Sequence, residues 1–522
     1  MDTSEACCSQ SSSTTKKQSE KPKISKKGWA DVIKKYEAYD NDKYRKIIQD
    51  TFIKLLRDKG YNIAEAGRFA VKHDFSAPYH LFFTRVDSSK KTYDQHNSIT
   101  FPEILDKSLG VIVNSLHLTF KVDITWLCIQ YMLAGQRTNM MILYGDRTDK
   151  TELGDNITAI QMKKPSNFGC HHTKITILQY SNGGIRVVVS TANLFSKDWE
   201  DKTQGLWISP HLPPLPEYAN LSEGESGTNF KKDLRKYLSK YENPALHQWI
   251  EIVKRANFFD VNVFLVASVP GDYKPNITRW GHRKLSRILS HYAALPKDAS
   301  KWPLIAQSSS IGSLGSSYKK SWLSEEIVVS MSHPQKTTQE SKRPEFKFIY
   351  PSLKNYKHSY DCNRSFCLSY SMDMHDKQKW IELYLYQWRA ERTGRTRAMP
   401  HIKSYTRVSP DLKRILWFVL TSANLSKAAW GVKQENKYSI KNFEAGVVFL
   451  PKFITATTTF PIKDRGNSAV PIFPIPYDLP LHRYHESDTP CITRKSLHSY
   501  QPSANTDPKS MVQNELLEDE YN

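Results

Sequence analysis

One short phrase of this sequence occurs twice, and that repeat limits the possible folds more than any other feature. The sequence reads His-Thr-Lys at 172–174 and His-Ile-Lys at 401–403. An apolar run follows each copy and ends in a near-identical phrase that contains an asparagine, Asn193 or Asn424. The histidine and the asparagine are 21 residues apart in the first copy and 23 in the second, and a tryptophan follows each asparagine after six residues. The repeat predicts two related domains.

The residue types of the repeat suit a phosphate group. Residues i and i+2 of a strand point to the same face, so each motif presents an imidazole beside an ammonium group. The ammonium neutralises phosphate charge, while an imidazole with an ordinary pKa near ~6.5 can attack phosphorus or transfer a proton. Two such faces brought together supply a nucleophile, a proton donor and two cations. We therefore interpret the repeat as one active site built from two copies.

Composition indicates a globular protein with an anionic partner. The 522 residues are 39% hydrophobic and 24% charged, which fits more than one folded core. The formal net charge of +21 favours a polyanion, because clustered cations gain free energy by releasing counterions from a phosphate backbone. A basic surface that is merely solvated is the alternative.

The sequence also limits the cellular location. No run approaches the ~18 apolar residues of a membrane span, and the N-terminus lacks an apolar signal core, so we expect an intracellular protein that does not span a membrane. The seven cysteines are an odd number without paired spacing, which fits a reducing compartment. Cys362 and Cys367 are followed by no second ligand pair, so no zinc site is expected.

Changes in composition along the chain predict five segments. Residues 1–28 are rich in Ser, Thr and Lys and are predicted to be a disordered basic tail, which either serves as a nuclear signal or is simply solvated. Residues 29–73 have apolar residues at helical spacing and predict a helical N-terminal extension. The two repeat-bearing domains are predicted at 74–250 and 251–490, and residues 491–522 form a C-terminal tail.

The strands beside the motifs are the clearest local prediction. Residues 175–180 and 185–190 are β-forming runs separated by Ser-Asn-Gly-Gly, which permits the positive φ angles of a tight hairpin. His172 and Lys174 then lie at the entrance of the first strand. Residues 415–421 are the counterpart in the second copy.

Two other stretches have two interpretations each. The loop at 308–315 places serines around glycines, as phosphate-binding turns do, but an ordinary loop has the same composition. Residues 377–397 interleave aromatic rings with Lys and Arg, which suits either stacking on bases or a buried helical stripe.

The phrases around the motifs resemble tyrosyl-DNA phosphodiesterase, a branch of the phospholipase D superfamily. The similar phrases are 168–174, 202–205, 398–403 and 421–431, and the similarity extends from about residue 79 to about residue 490. The wider superfamily carries an aspartate at the positions of Gln179 and Val408, and the absence of both suits this branch rather than a phospholipase.

The resemblance implies both a fold and an activity. The fold is α/β, with two phospholipase D-like α-β-α-β-α sandwich domains related by pseudo-twofold symmetry and an active site at their interface. The activity is DNA repair: hydrolysis of the bond between a topoisomerase I tyrosine and a DNA 3′-phosphate through a covalent phosphohistidine. The implied partners are single-stranded or duplex-end DNA with 3′-blocking adducts and a topoisomerase I-derived peptide. We expect a nuclear monomer that needs no cofactor and no metal, because two lysines supply the positive charge.

The resemblance also implies a role for each site residue. His172 is the nucleophile and His401 the general acid and base. Glu444 is expected to orient His172, and Gln204 to orient His401. The charge on the phosphate oxygens is stabilised by Lys174, Lys403, Asn193 and Asn424. The residues implied to bind substrate are Phe168, Ser309, Ser310, Ile311, Gly312, Ser313 and Ser426.

Two alternative functions remain at this point. The chain can be another phosphodiesterase or nuclease of the superfamily, although the missing aspartates and the lack of a membrane-binding segment disfavour a phospholipase. It can also be an inactive basic protein that binds nucleic acid. The intact histidines and lysines of both motifs argue against lost activity.

Overall fold

The computed structural model describes residues 26–39, 41–149, 154–167, 169–220, 222–332, 343–362, 367–463 and 469–493. The chain divides into two compact units, residues 1–63 and 64–522. Most of the two predicted tails lies outside the described residues, so those predictions remain predictions.

The first unit contains two helices, α1 (Lys26–Ala38) and α2 (Asp42–Asp58). Asn41 begins α2 with its side chain accepting a hydrogen bond from the backbone N–H of Lys43, because short polar side chains satisfy the free amides of a first turn. Trp29 packs edge-on against Phe52 with ring centroids 5.2 Å apart. The unit thus has a small apolar contact of its own.

The second unit begins before the predicted boundary at residue 73. Helix α3 (Phe69–Phe75), which the sequence analysis placed in the N-terminal extension, belongs to this unit. The physical reason is burial: Phe69 is 1% exposed, and its ring lies 5.5 Å from that of Phe82 in the first large sheet.

The first large sheet is built from strands that come before and after the first motif in the sequence. Among the described residues its strands are β1 (Leu81–Thr84), β2 (Ser98–Ile99), β3 (Ile112–Val122), β4 (Asn139–Arg147), β5 (Ile157–Gln161), β6 (Ile175–Tyr180), β7 (Ile185–Ser190) and β8 (Gly205–Ile208). Their order in the sheet is β2-β1-β8-β7-β6-β3-β4-β5. The predicted hairpin is therefore the β6–β7 pair, with the bounds that the sequence indicates.

The second large sheet surrounds the second motif. Its described strands are β9 (Phe264–Ser268), β11 (Leu304–Gln307), β12 (Phe346–Ile349), β13 (Leu385–Tyr386), β14 (Ser404–Val408), β15 (Arg414–Thr421), β18 (Glu444–Phe449) and β19 (Phe460–Pro461). A smaller sheet contains β10 (Gly271–Tyr273), β16 (Val432–Lys433) and β17 (Tyr438–Ile440). The order in the large sheet is β13-β12-β11-β14-β15-β18-β9, with β19 paired to β15.

The two large sheets are copies of one arrangement. The order β1-β8-β7-β6-β3-β4-β5 in the first matches β9-β18-β15-β14-β11-β12-β13 in the second. Each neighbouring pair also has the same direction in both sheets, antiparallel up to β3 or β11 and parallel beyond. We call residues 81–208 the first half and residues 264–461 the second half. The predicted repeat and the α/β fold class are confirmed.

Helices cover the sheets. Those described in the second unit are α3, α4 (Phe101–Ile104), α5 (Ile124–Leu133), α6 (Ser196–Glu200), α7 (Phe230–Ser239), α8 (His247–Arg255), α9 (Gly281–Tyr292), α10 (Val328–Ser332), α11 (Leu353–Lys357), α12 (Met372–Lys377), α13 (Lys427–Trp430) and α14 (Pro451–Ile454).

The side chains of strand β7 alternate between two hydrophobic cores. Val187 and Val189 of β7 enter a large core that continues into the second half, whereas Val188 enters a smaller core with α4 and α5. No helix in the described part of the chain has the length and apolar character needed to cross a bilayer.

A buried arginine joins the two halves. Arg395 is 0% exposed, and its guanidinium donates to the carbonyl oxygen of Thr84 and to the side chains of Gln95 and Ser98. The nearby Trp388 is also fully buried. The aromatic and basic stretch at 377–397 is therefore core at these two positions, which lie outside the helices, whereas several of its Lys and Arg side chains are exposed. It is not one buried helical stripe.

Candidate active site

At each motif, the backbone of one half is hydrogen-bonded to the backbone of the other half. The N–H of His172 donates to the carbonyl of Phe443 at 2.9 Å, directly before Glu444. In the second copy, the N–H of His401 donates to the carbonyl of Thr203 at 3.0 Å, directly before Gln204. Each histidine is thus held beside a residue of the other half.

The first histidine has a carboxylate partner. His172 Nδ1 lies 2.8 Å from Glu444 Oε2, and Glu444 also accepts from Ser422 Oγ at 2.5 Å and from Asn442 Nδ2 at 3.1 Å. Burial lowers the pKa of His172 below its ordinary value, although the Glu444 charge opposes that shift. A neutral ring that donates Nδ1–H to the carboxylate leaves the Nε2 lone pair free. This is the arrangement that a nucleophilic imidazole needs.

The second histidine has an amide partner. His401 Nδ1 lies 3.1 Å from Gln204 Oε1 and 3.0 Å from Nε2. The neighbours of the amide select its orientation: Thr191 Oγ1 donates to Oε1 at 2.8 Å, and Nε2 donates to the carbonyl of Asp198 at 3.2 Å. His401 therefore donates Nδ1–H to Oε1, which leaves Nε2 to exchange a proton with a substrate.

The two lysines of the motifs are buried, and the pKa of each is lowered. Lys174 and Lys403 are 3% and 0% exposed, and each ammonium donates to the carbonyl of the histidine two residues before it. Burial lowers the pKa of Lys174 to about 8. Burial and the charge of Lys174 lower the pKa of Lys403 to about 7. The motifs therefore share one electrostatic environment, in which an anion relieves the repulsion between cations.

An ion pair that the sequence analysis missed lies beside the second histidine. Asp198 Oδ2 accepts from the N–H of Asn193 at 2.8 Å and lies 3.6 Å from His401 Nδ1, while Oδ1 accepts from Lys202 Nζ at 3.1 Å. Burial opposes ionisation of Asp198, but the charge of Lys202 holds the pKa of this carboxyl below its usual range. The available signal was the i, i+4 spacing of Asp198 and Lys202 beside Asn193.

The serine loop lies against the second asparagine. The N–H and Oγ of Ser309 both donate to Asn424 Oδ1, at 3.3 and 3.2 Å. A Cβ on Gly312 would lie 2.7 Å from Cβ of Ser426, so this close approach requires glycine. Ile311 pairs with Leu425. The structure thus brings Ser309, Ile311, Gly312 and Ser426 to Asn424, while Ser310 is buried beside Ser369 and Ser313 is exposed.

Two further contacts of the first motif were also missed. Thr173 Oγ1 lies 2.5 Å from the hydroxyl of Tyr237 and 2.7 Å from that of Tyr241, which fixes the motif backbone against α7. The ring of Phe120, at the end of β3, lies 5.7 Å from that of His172. These partners are distant in sequence and left no local signal.

The remaining predicted site residue and the metal prediction are not tested. Phe168 lies outside the described residues. Across the described ranges, no group of three His, Cys, Asp or Glu side chains is placed to hold a metal ion. The roles of the site residues remain predictions, although the contacts above bring both histidines to their expected partners, Glu444 and Gln204, and each lysine to its own motif.

Comparison with known proteins agrees with this arrangement. Residues 80–485 match the family model for tyrosyl-DNA phosphodiesterase. The chain is 43% identical over 452 residues to "Tyrosyl-DNA phosphodiesterase 1" of Drosophila melanogaster, which covers 84% of this chain and 77% of the relative. It is 32% identical over 438 residues to "Probable tyrosyl-DNA phosphodiesterase" of Caenorhabditis elegans, covering 80% and 90%.

A solved structure has the same fold. The crystal structure of the yeast tyrosyl-DNA phosphodiesterase superposes with a TM-score of 0.63 at 18% identity, covering 79% of this chain and 99% of the yeast chain. The family match and the identity to the relatives, rather than this likeness, establish the relationship. The chain belongs to the tyrosyl-DNA phosphodiesterase family and is a phosphoric diester hydrolase of DNA repair.

Proposed function

We propose that this protein releases a topoisomerase I tyrosine from a DNA 3′-phosphate through a covalent phosphohistidine. The observation that supports this proposal most directly is the meeting of two His-Lys motifs with unlike partners, a carboxylate on His172 and an amide on His401. One ring is thereby suited to attack phosphorus and the other to move a proton.

In the first step, Nε2 of His172 attacks phosphorus while the bond from phosphorus to the tyrosyl oxygen breaks. Protonated His401 gives its Nε2 proton to that oxygen, so tyrosine leaves as a neutral phenol. In the second step, neutral His401 takes a proton from water, and the resulting oxygen nucleophile attacks phosphorus. The phosphorus–nitrogen bond breaks, which leaves a DNA 3′-phosphate and free His172.

The lysines and asparagines hold the reacting phosphate. Lys174 and Lys403, with the amides of Asn193 and Asn424, can stabilise the charge on the non-bridging oxygens as it grows in the transition state. The substrate also prepares the acid. Burial and the Lys403 charge hold the pKa of His401 well below its ordinary value, and an anionic phosphodiester bound between the lysines raises it again.

The direct test is an oligonucleotide that carries a 3′-phosphotyrosine, incubated with the protein in EDTA. Release of tyrosine with a 3′-phosphate product is expected, because the charge on the phosphate is met by lysines. An absolute metal requirement, or a product other than the 3′-phosphate, would contradict the proposal.

The lysine pKa values predict how the reaction depends on pH. Each lysine must be charged to bind the phosphodiester, and the pKa values of about 8 and about 7 mean that both charges are lost as pH rises. We expect kcat/KM to fall from about pH 7, where Lys403 begins to lose its proton, and more steeply above about pH 8, where Lys174 does so as well. A profile from about pH 6 to about pH 9 measures this. Lys403→Arg should weaken the alkaline fall, since arginine stays protonated; a profile unchanged by this substitution would contradict the assignment.

A cationic surface next to the first motif supports a DNA substrate longer than the scissile end. We call Lys232, Arg235, Lys236, Lys240, Arg279 and Arg287 the α7–α9 cationic surface. Burial, the Arg279 charge and neighbouring lysines lower the pKa of Lys236. The two helices contain one carboxylate, Asp233 of α7, and it already forms an ion pair with Lys284 of α9 at 2.5 Å. The opposite face of α7 contacts Thr173, so one helix diameter of ~10 Å separates surface and motif.

This surface predicts a salt effect. Lys232→Gln, Lys236→Gln and Arg279→Gln together should reduce the slope of log K against log salt by roughly 2–3 for duplex DNA with a single-stranded 3′ end. Lys107→Gln, Lys297→Gln and Lys301→Gln, which remove equal charge from exposed positions outside this surface, are the matched control and should change the slope little. Equal changes in both variants would exclude a localised DNA path.

We also propose that the protein acts in the nucleus as a monomer. The net charge of +21 and the lysines within residues 1–28 support the nuclear location. The support for a monomer is that both motifs of the site come from one chain.

A further inference from the structure

We propose that Asp198 is a positioning residue that places a fixed negative charge beside His401 and so maintains that histidine as a proton donor. The proposal rests on the proposed function. It assigns to a residue outside the two motifs the task of supporting the first chemical step.

The carboxylate is fixed from several sides. Asp198 is 1% exposed and lies in α6. The N–H of Asn193 donates to Oδ2, and Lys202 Nζ donates to Oδ1. Oδ2 then lies 3.6 Å from His401 Nδ1. These contacts leave the carboxylate little freedom to turn away from the ring.

The charges around His401 make such a carboxylate necessary. Lys403, Lys202 and Lys174 all act against a positive charge on the ring, and burial acts in the same direction. Asp198 acts in the opposite direction. The ring's hydrogen-bonded partner, Gln204, is neutral and cannot supply that charge. Asp361, itself buried, interacts electrostatically with Lys202 and Asp198.

The two copies differ at this position. Asp198 follows Asn193 by five residues, whereas the fifth residue after Asn424 is Ala429. His172 receives its negative charge directly from Glu444, which bonds to Nδ1. His401 receives it from Asp198 without a direct bond, because its Nδ1–H goes to Gln204. Asp198 therefore stabilises the positive charge of His401 without accepting a hydrogen bond from its ring.

The role predicts a dependence on the leaving group. A proton donor matters most when the departing oxygen is basic, so a tyrosyl group depends on His401 more than a 4-nitrophenyl group does. Asp198→Asn keeps the shape of the side chain and removes its charge. Phosphohistidine formation should then slow roughly tenfold or more on 3′-phosphotyrosyl DNA, and within about twofold on the matching 3′-(4-nitrophenyl phosphate) DNA.

Single-turnover rates of adduct formation on the two substrates give the test. Asp198→Asn leaves Lys202 buried without its partner, so a variant that also carries Lys202→Met removes the ion pair as a unit and decides the question if the single variant does not fold. This double variant should also lose more on the tyrosyl substrate. Asp201→Asn, a half-buried neighbouring carboxylate, is the control and should leave both rates near wild type.

The outcomes separate the two proposals. Equal losses on both substrates, or no loss on either, would overturn the role of Asp198, since a merely structural defect slows both reactions alike. Failure of the wild-type protein to release tyrosine would instead overturn the proposed function.

Discussion

His401→Asn is expected to leave the protein covalently attached to the 3′ end of its DNA substrate. The phenol of tyrosine, with a pKa near ~10, is a fairly good leaving group, so the first step can proceed slowly without a full proton donor. Water is a poor nucleophile unless a base removes its proton, and Nε2 of His401 is the atom placed to do so. The phosphohistidine should therefore accumulate, and turnover should fall by roughly 10²–10⁴-fold.

A denaturing gel without acid, run with 5′-labelled 3′-phosphotyrosyl DNA, measures this result. A slow-migrating protein–DNA band is expected for His401→Asn. His172→Ala is the matched control, because it removes the attacking nitrogen and should show neither band nor turnover. A band from the His172 variant and none from the His401 variant would reverse the assignment of nucleophile and acid.

Arg395→Met is expected to destabilise the fold by about 2–5 kcal/mol. The guanidinium donates to the carbonyl of Thr84 and to Gln95 and Ser98, and a thioether replaces none of those bonds. Buried acceptors left without a donor cost free energy because water cannot reach them. The midpoint of urea unfolding should shift to lower concentration in proportion.

Arg389→Met provides the control for this prediction. Arg389 lies in the same stretch but is exposed, so its replacement should change the free energy of unfolding by about 0.5 kcal/mol or less. Similar stability of both variants would show that the buried guanidinium does not hold the halves together.

Local patterns determined the predictions that succeeded. The β6–β7 hairpin follows from alternating apolar residues and a turn rich in Asn and Gly, all within sixteen residues. Whether the side chains of residues 377–397 are buried or exposed could not be read from a local pattern. Arg395 is held by residues some three hundred positions earlier, and Trp388 is buried with its indole N–H donating to the Arg395 carbonyl. A sequence pattern cannot separate a ring packed in a core from one available for stacking.

The candidate site divides in the same way. The repeat itself identified both histidines and both lysines, because their spacing is local and occurs twice. The partners Glu444 and Gln204 came only from the family resemblance, since each lies about two hundred residues or more from its histidine. Asp198, Tyr237 and Tyr241 went unrecognised, because their contacts with the motifs exist only after the chain has folded.

The exchange of partners between the halves has a consequence for how such a site could arise. An ancestral single-motif chain that paired with a second copy would build two identical histidine environments, each with the same partner from the opposite subunit. Joining the copies in one polypeptide lets the two positions mutate separately. Position 444 is now a carboxylate and position 204 an amide, and Asp198 has no counterpart at Ala429. Covalent linkage thus permits a division of labour that identical subunits cannot encode.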